Sequence, residues 1–493
     1  MTTQSGSGYK EKVIPYGNFM GIDAVRDPAA IDSGENQYLV ELNNGFADWR
    51  GMIYRDPGAF QRIQTGNPVT HVAFLNRELA VYARLDGAQT TITTERNHDA
   101  KIALQRGSNI STTVFNNKLI VASAGYDFQI YNGYVWKLPS TKTNIKPAFV
   151  TTCQRRLIAA GFPTERTRIE FSRVDDENYF SAEDVQSSEV TKGVYMDVGN
   201  IIGTAETVTG LATLEQNRLA IFTEERALIY VMDPDYTKWT LEDRSQTRVG
   251  TYSHNTIVQA GNDLIFASRS GIHTIRRSAN GLSLTNVAMS HQVELLYRAL
   301  LRSVPDPETI TAYYDSEYRQ YHLFFPQTEL YTRRLTMTIS PSENVPPKFS
   351  TGTFINARCG AQLGGVTALG TPGGVFQLTQ IEDYADVEPE CILSTPVLYF
   401  GSLYQTKESA SIIVQASGTG EMVIDAEDQV GRKLSSIVFE IEMDGEDDKF
   451  VDLPLNLQYE RKFEHRFLGL KLRFTLRGKG LIRLSSFAVK FRG

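Results

Sequence analysis

Val114-Phe115-Asn116-Asn117-Lys118-Leu119 reads as two short strands joined by a tight polar turn. The same phrase, an apolar arm, two or three Asn, Gln, Arg, Gly or Asp residues, then Leu and small apolar residues, recurs along the chain. It stands at Phe74-Leu75-Asn76-Arg77-Glu78-Leu79, Gln154-Arg155-Arg156-Leu157, Gln216-Asn217-Arg218-Leu219 and Gly261-Asn262-Asp263-Leu264. Copies about 40 to 60 residues apart, each built from a hairpin, are the mark of a β-propeller, whose four-stranded blades need neighbours to cover their faces. Looser copies follow at Tyr313 to Phe325 and at Thr371-Pro372-Gly373-Gly374-Val375-Phe376. The sequence therefore predicts an all-β chain with a propeller of about six blades.

Working outward, three regions are expected. Residues 1–64 are a leading segment with strand-like runs around Tyr38-Leu39-Val40 and Met52-Ile53-Tyr54, read as a hairpin, and a closing turn at Asp56-Pro57-Gly58. Residues 65–384 carry the blades. Between two copies lies Ile169 to Phe180, read as an insertion or an irregular blade. Val293, Leu296, Tyr297 and Leu300 fall on one helical face, with Ser290 as its cap and Pro305 beyond its end, so a packing helix is expected over 290–301. Residues 385–493 change period: Phe439, Ile441 and Met443 alternate with Glu440, Glu442 and Asp444, and Leu470, Leu472, Phe474 and Leu476 alternate with Lys471, Arg473, Thr475 and Arg477. One dry and one wet face per strand predicts a β-sandwich, which strands from 36–55 complete.

Composition agrees with a β-rich globular protein of two or three domains: 493 residues, 41% hydrophobic, with 23 Tyr and 25 Phe but only 3 Trp. Cys153, Cys359 and Cys391 are widely spaced, which leaves no zinc motif and fits assembly in a reducing compartment. No signal-peptide pattern and no apolar run of membrane-spanning length is present, so neither export by the usual route nor membrane insertion is expected. The formal net charge of -7 argues against general attraction to nucleic acid.

The sequence lacks HExxH, GxSxG, P-loop and GxGxxG motifs, the repeated boxes of sialidases, and the Gly-His and Trp-Asp signatures of WD40 propellers. Asp175-Asp176-Glu177 and Asp444-Gly445-Glu446-Asp447-Asp448 lack the ligand spacing of a calcium loop and read as solvated loops. The scattered histidines read as isolated polar residues. No catalytic residue, metal site or cofactor is predicted.

The clearest non-random signal is charge. Residues 461–493 hold ten Lys/Arg and one acid, whereas 417–460 hold twelve Asp/Glu and three Lys/Arg. Glu440, Glu442 and Asp444 on one side, and Lys471, Arg473, Arg477, Lys490 and Arg492 on the other, are the candidate interface residues. They pair within one sandwich if strands 438–444 and 470–492 are neighbours, or set register between subunits if they are not. Phosphate contact by Lys471, Arg473 and Arg477 is a third reading.

With these residues in view, the chain resembles the tail nozzle and tail hub proteins of short-tailed bacteriophages. Asn43-Asn44-Gly45 through Gly51-Met52-Ile53-Tyr54-Arg55-Asp56-Pro57-Gly58 looks like that family's opening motif, with Asp56 intervening between Arg55 and Pro57. Ile169-Glu170-Phe171-Ser172, Thr209-Gly210-Leu211 through Ile229-Tyr230, and Gly250-Thr251-Tyr252 with Gly271-Ile272-His273 resemble its middle segments in order. Arg466 to Arg473 followed by Ile482-Arg483-Leu484 resembles its closing strand pair. The resemblance spans most of the chain. It implies a virion protein assembled in the host cytoplasm as a homohexameric ring, docked through head-tail adaptor subunits and closed distally by a needle, fibre or plug. Packaged DNA would be retained by the ring and pass through its lumen without sequence-specific binding. The alternative from another class is a propeller-based receptor-binding or glycan-degrading tail protein.

Overall fold

At three copies the recurrent phrase is a tight hairpin turn with two consecutive residues in the left-handed region. Asn116 and Asn117 have φ of 49° and 57°, Gln154 and Arg155 of 46° and 61°, Glu215 and Gln216 of 50° and 63°. That geometry matches the right-handed twist of the flanking strands, so each turn delivers a tightly paired hairpin. The structure, a computed structural model, describes residues 11–26, 37–76, 78–96, 102–139, 145–182, 184–185, 187–203, 205–242, 248–277, 284–342, 345–379, 385–400, 404–441, 457–478 and 482–492.

The chain forms two compact units, one of residues 61–334 and 355–377 and the other of 1–60, 335–354 and 378–493. The first is the β-propeller. Blades 1 to 5 are separate four-stranded sheets whose first strands are Val69–Leu75, Ser111–Phe115, Phe149–Cys153, Gly210–Leu214 and Val258–Ala260. Another four-stranded sheet joins Cys359–Leu363, Val366–Gly370 and Gly374–Thr379 to Gly58–Gln64, so an early strand closes the last blade. Six separate sheets, with the further run that follows, make seven blades where about six were expected. A further run of four strands, Thr311–Asp315, Gln320–Pro326, Thr332–Thr338 and Lys348–Gly352, lies before the last blade in the chain and is blade 6 here, the closing sheet being blade 7. From Leu335 its strands belong to the second unit. The reason is pairing: Phe349 aligns in parallel with Gly21 and Thr351 with Asn43. The stretch 335–354, expected inside the propeller, is thereby drawn into the sandwich.

Ile169 sits on the third strand of blade 3, Arg168–Phe171, and residues 172–193 form an insertion before the fourth, Val194–Asp197. The helix is a 3-10 turn at His291–Val293 running into an α-helix at Glu294–Arg302. Ser290 does not cap it. The Ser290 hydroxyl instead accepts the Ile272 N–H at 3.0 Å, holding a blade 5 strand. Tyr297 anchors the helix, donating its hydroxyl to the Ser268 carbonyl at 2.5 Å and meeting the Phe325 ring at 5.9 Å, so it packs across blades 5 and 6.

The second unit contains two sheets. One is ordered Leu457–Lys462, Lys407–Ser417, Arg483–Arg492, Ile53–Arg55, Gly45–Ala47, with Glu11–Gly17 also on Arg483–Arg492. The other runs Lys348–Gly352, Glu41–Asn43, Cys391–Ser394, Leu470–Arg477, Gly420–Asp428, Lys433–Ile441. The expected alternation holds. Leu470, Leu472, Phe474 and Leu476 are fully buried, and the Phe474 ring meets Phe487 of the other sheet at 5.0 Å. Phe487 also stacks on Tyr16 at 5.1 Å. The two runs expected to form the leading hairpin separate. Tyr54 pairs with Phe46, while Gln37–Leu39 pairs in parallel with Phe19–Ile22. Tyr38 is thus drawn to a different sheet.

Candidate functional site

The charged strands of the sandwich come first because the sequence singled them out. Strand Gly420–Asp428 lies between the acidic strand 433–441 and the basic strand 470–477, so those two are not neighbours as the within-sandwich reading assumed. Met422, Ile424 and Ala426 bury one side of the intervening strand, which lets it hairpin with 433–441 and enter the sheet with its acids outward. Across its other edge Glu421 faces Arg477, Asp425 faces Arg473 and Glu427 faces Lys471.

The basic residues have partners within the unit. Lys471 lies 3.8 Å from Glu427, Arg473 3.9 Å from Glu41, and Arg477 2.7 Å from Glu390. The hydrogen bond to Glu390 pushes the Arg477 pKa up, and that from Lys433 holds the Asp425 carboxyl below its ordinary range. Glu440 stands exposed opposite Glu421, a like-charge pair. Lys490 and Arg492 belong to the other sheet, where Arg492 lies in register with Glu408 and Glu11. Glu442 and Asp444 lie outside the described residues. The candidates therefore occupy two sheets and do not make a single strip.

The propeller spends its polar groups differently. At the junction of blades 2 and 3, the Ser111 hydroxyl accepts the Val150 N–H at 3.1 Å. His254 binds Ser111 Oγ through Nε2 at 2.9 Å and accepts the Leu211 N–H at Nδ1, 3.3 Å away. An imidazole that accepts at Nδ1 and donates from Nε2 is neutral. Enclosure pushes the His254 pKa down to about 4. His71, which reaches Thr112 of blade 2 at 3.1 Å, is likewise lowered to about 4 by burial. Thr311 of blade 6 donates to the Arg358 carbonyl ahead of blade 7 at 2.7 Å. Cys359 Sγ approaches the Val69 carbonyl at 3.9 Å, which closes the ring of first strands. The histidines read as isolated are in these two cases bridges between blades.

The insertion is also fixed by charge. Arg156 is fully buried and donates to the carbonyls of Ser172, Lys192 and Pro234 at 2.7, 2.6 and 2.8 Å. Burial pushes its pKa down to about 10, with Asp184 and Asp235 opposing. The acidic run at 175–177 is not a solvated loop. Asp175 pairs with Arg155 and buried Glu177 with Lys118 of blade 2, so the run clamps blade 3 to its neighbour. The second acidic run, 444–448, lies outside the described residues. Among the described residues no group of three or more His, Cys, Asp and Glu is placed to hold a metal ion. No helix among them is long and apolar enough to cross a membrane.

Two cavities meet at the mouth of the propeller, where the first strands begin. One, of about 100 Å3, is lined by Ser111, Phe149, Tyr252, His254 and Glu308 among others. The other, of about 330 Å3, is lined by Thr70, His71, Arg106, Glu329 and Arg358. Asn109, Ile110 and Asn255 line both. Sequence reading missed this site because no motif marks it. The available signal was a polar residue one to three places ahead of a blade, as at Arg358, Asn109 and Asn255.

No family model matches the chain, and no curated protein matches it. Among solved structures it is similar to the extracellular domain of a hybrid two-component system from B. thetaiotaomicron, at 12% identity over 83% of this chain and 58% of that one, with a TM-score of 0.41. It is also similar to Hsv2 from Kluyveromyces lactis, at 12% identity over 64% of this chain and 97% of that one, TM-score 0.36. A third is BamB from Moraxella catarrhalis, at 11% identity over 74% of this chain and 98% of that one, TM-score 0.35. The chain spans 58% of the length of the first of these.

Proposed function

We propose that this chain is a structural component of a short-tailed phage virion, a tail nozzle or hub whose six copies form a ring between the head-tail adaptor and a distal needle, fibre or plug. The observation that carries the reading joins two distant parts of the resemblance. Ile53 and Tyr54 of the opening motif pair directly with Leu484 and Arg483 of the closing one, and the Arg55 N–H donates to the Ile482 carbonyl at 3.2 Å. Segments more than 400 residues apart in the chain are thus one element of one sheet, which supports treating their resemblance as that of a single piece of architecture. The polar groups of the propeller add support, since His71, His254, Arg156 and Glu177 serve as fasteners.

In this role the ring retains packaged DNA and conducts it during ejection while holding it only weakly, because a subunit of net charge -7 has little general affinity for phosphate. The deciding experiment is electron microscopy of the purified chain with and without its adaptor. Sixfold rings are expected, and a protein that stays monomeric with saturating adaptor sinks the proposal. The second reading, a receptor-binding or glycan-degrading tail protein, draws support from the polar cavity at the propeller mouth. Release of reducing sugar from host polysaccharide by the purified chain would favour it.

A further inference from the structure

The larger cavity at the propeller mouth is lined by a cation, Arg358, that makes no ion pair among the described residues. Arg358, half-buried, donates Nη1 to the Glu329 carbonyl at 3.1 Å, and among the described residues its guanidinium makes no other hydrogen bond and no ion pair. The Glu329 carboxylate is engaged by Arg106. Glu308 lines the smaller cavity and not this one. The charge at the larger cavity is then one positive in excess, from Arg106 and Arg358 against Glu329, the His71 pKa being lowered to about 4 by burial. Burial lowers the Arg358 pKa, with the Glu329 charge opposing.

Neutral polar groups line the same cavity. Asn109 and Asn255 line the cavity on the side it shares with its neighbour, and Thr70 lines another part of its wall. None of these three side chains hydrogen-bonds to another described residue, unlike Thr311 and Ser108 nearby, which are committed to carbonyls. Two carboxamides and a hydroxyl offer both donors and acceptors, the complement of a ligand rich in hydroxyl groups. The cavity, about 330 Å3, is at the low end of ligand sites, which run from about 300 to 1,000 Å3.

We propose that the propeller mouth binds an acidic sugar, Arg358 taking its carboxylate and Asn109, Asn255 and Thr70 its hydroxyls. A carboxylate is chosen over a phosphate because a single excess positive charge matches a monoanion. A sugar is chosen over an acidic peptide because the free groups lining the cavity are amides and a hydroxyl. Binding there requires no bond-making step.

The test is calorimetric or ligand-observed NMR titration of the full chain with glucuronate, glucose, glucose 6-phosphate and a glutamyl dipeptide. Glucuronate is expected to bind at least about ten-fold more tightly than glucose, the scale of one charge-assisted bond. Arg358→Gln should bring glucuronate down to the affinity of glucose, with Arg358→Lys intermediate. Asn255→Ala should weaken glucuronate and glucose alike by several-fold, and since Asn255 has no described hydrogen-bond partner its loss leaves the fold intact even if the Arg358 variants unfold. Glucuronate binding no tighter than glucose, or unchanged in Asn255→Ala, overturns the proposal. Tighter binding of glucose 6-phosphate overturns the choice of carboxylate, and tighter binding of the dipeptide overturns the choice of sugar.

Discussion

The two compact units share antiparallel backbone pairing and differ in strand length and in what their polar side chains join. Blade strands are short: Ser111–Phe115, Phe149–Cys153 and Gly210–Leu214 have five residues each, whereas Lys407–Ser417 and Arg483–Arg492 of the sandwich have eleven and ten. A short twisted sheet cannot cover its own faces, so a blade depends on its neighbours. Ile158, Ile169 and Phe171 of blade 3 share a buried cluster with Leu219, Ile221 and Leu228 of blade 4. At the centre, where first strands converge, Ser111, His254, Thr311 and their partners fix which residue meets which. The long sandwich strands set their dry face by period-2 alternation. Buried polar groups act there too, but within one sandwich: Lys407 donates to the Leu468 carbonyl at 3.1 Å, and Arg55 donates to the Pro389 carbonyl at 3.1 Å and pairs with Glu388. The difference lies in what the polar groups join, blade to blade in the propeller and strand to loop in the sandwich.

The largest effect that can break this comparison is removal of the sandwich's aromatic centre. Phe474→Ala should cost about 3–5 kcal/mol, as expected for a buried Phe. Hydrogen exchange should show the loss over 407–492 and leave 149–241 protected. Arg156→Leu should do the reverse, leaving buried carbonyls without donors and costing about 3 kcal/mol, with faster exchange confined to blades 3 and 4. If Arg156→Leu is neutral by denaturant titration, polar fastening is not what holds the insertion.

Acid should then separate the units. His71 and His254 are depressed from 6.5 to about 4 in the fold, so the unfolded chain binds more protons between those values. Their contribution is complete above about pH 6.5 and is lost as pH falls towards about 4. Asp425 and Asp428 in the sandwich are depressed below 3.8, by the Lys433 hydrogen bond and by the Arg432 backbone N–H respectively, so their contribution is present above that value and lost only below it. Exchange protection at pH 5 should fall in the propeller before the sandwich, and His254→Gln should flatten that response. Equal softening of both units at pH 5 would remove the distinction.

Smaller still is Arg473→Glu with Arg477→Glu. Both side chains are roughly half exposed, at 44% and 56%, and exposed pairs contribute about 0–1 kcal/mol each. Melting of the monomer should drop slightly, with the drop deepening as salt is lowered and the new repulsion is unscreened. Assembly of rings by that variant measures whether these residues also meet another subunit: a folded variant that no longer forms rings places them at the interface. The smallest change is stabilising. Gln216 sits at φ 63°, where glycine is at ease, so Gln216→Gly should raise stability by a few tenths to about 1 kcal/mol in thermal unfolding.

Much of the fold was legible because its signals are local. The turn phrase at Asn116-Asn117 announces a hairpin through backbone geometry alone, and the alternation at 470–477 announces a buried face through its period. The helix at 294–302 was legible from its spacing, although Ser290 proved to hold a strand. The sites were less legible. Glu177 read as solvated because its sequence neighbours are acids, yet it is buried and pairs with Lys118, 59 residues earlier. Arg358, Asn109 and Asn255 come from three separated stretches and meet only because each precedes the first strand of a blade.

By itself the sequence determined that this protein is all-β, with repeated hairpins followed by long alternating strands, since turn chemistry and periodicity act over a few residues. Only the tertiary structure decided that residues 335–354 leave the propeller for the sandwich, that strand 420–428 separates the two charged strands, and that Arg358 faces a cavity with free amides. Each of these depends on which distant backbone edges pair, and pairing is settled by the shared burial of both partners, a quantity no single segment contains.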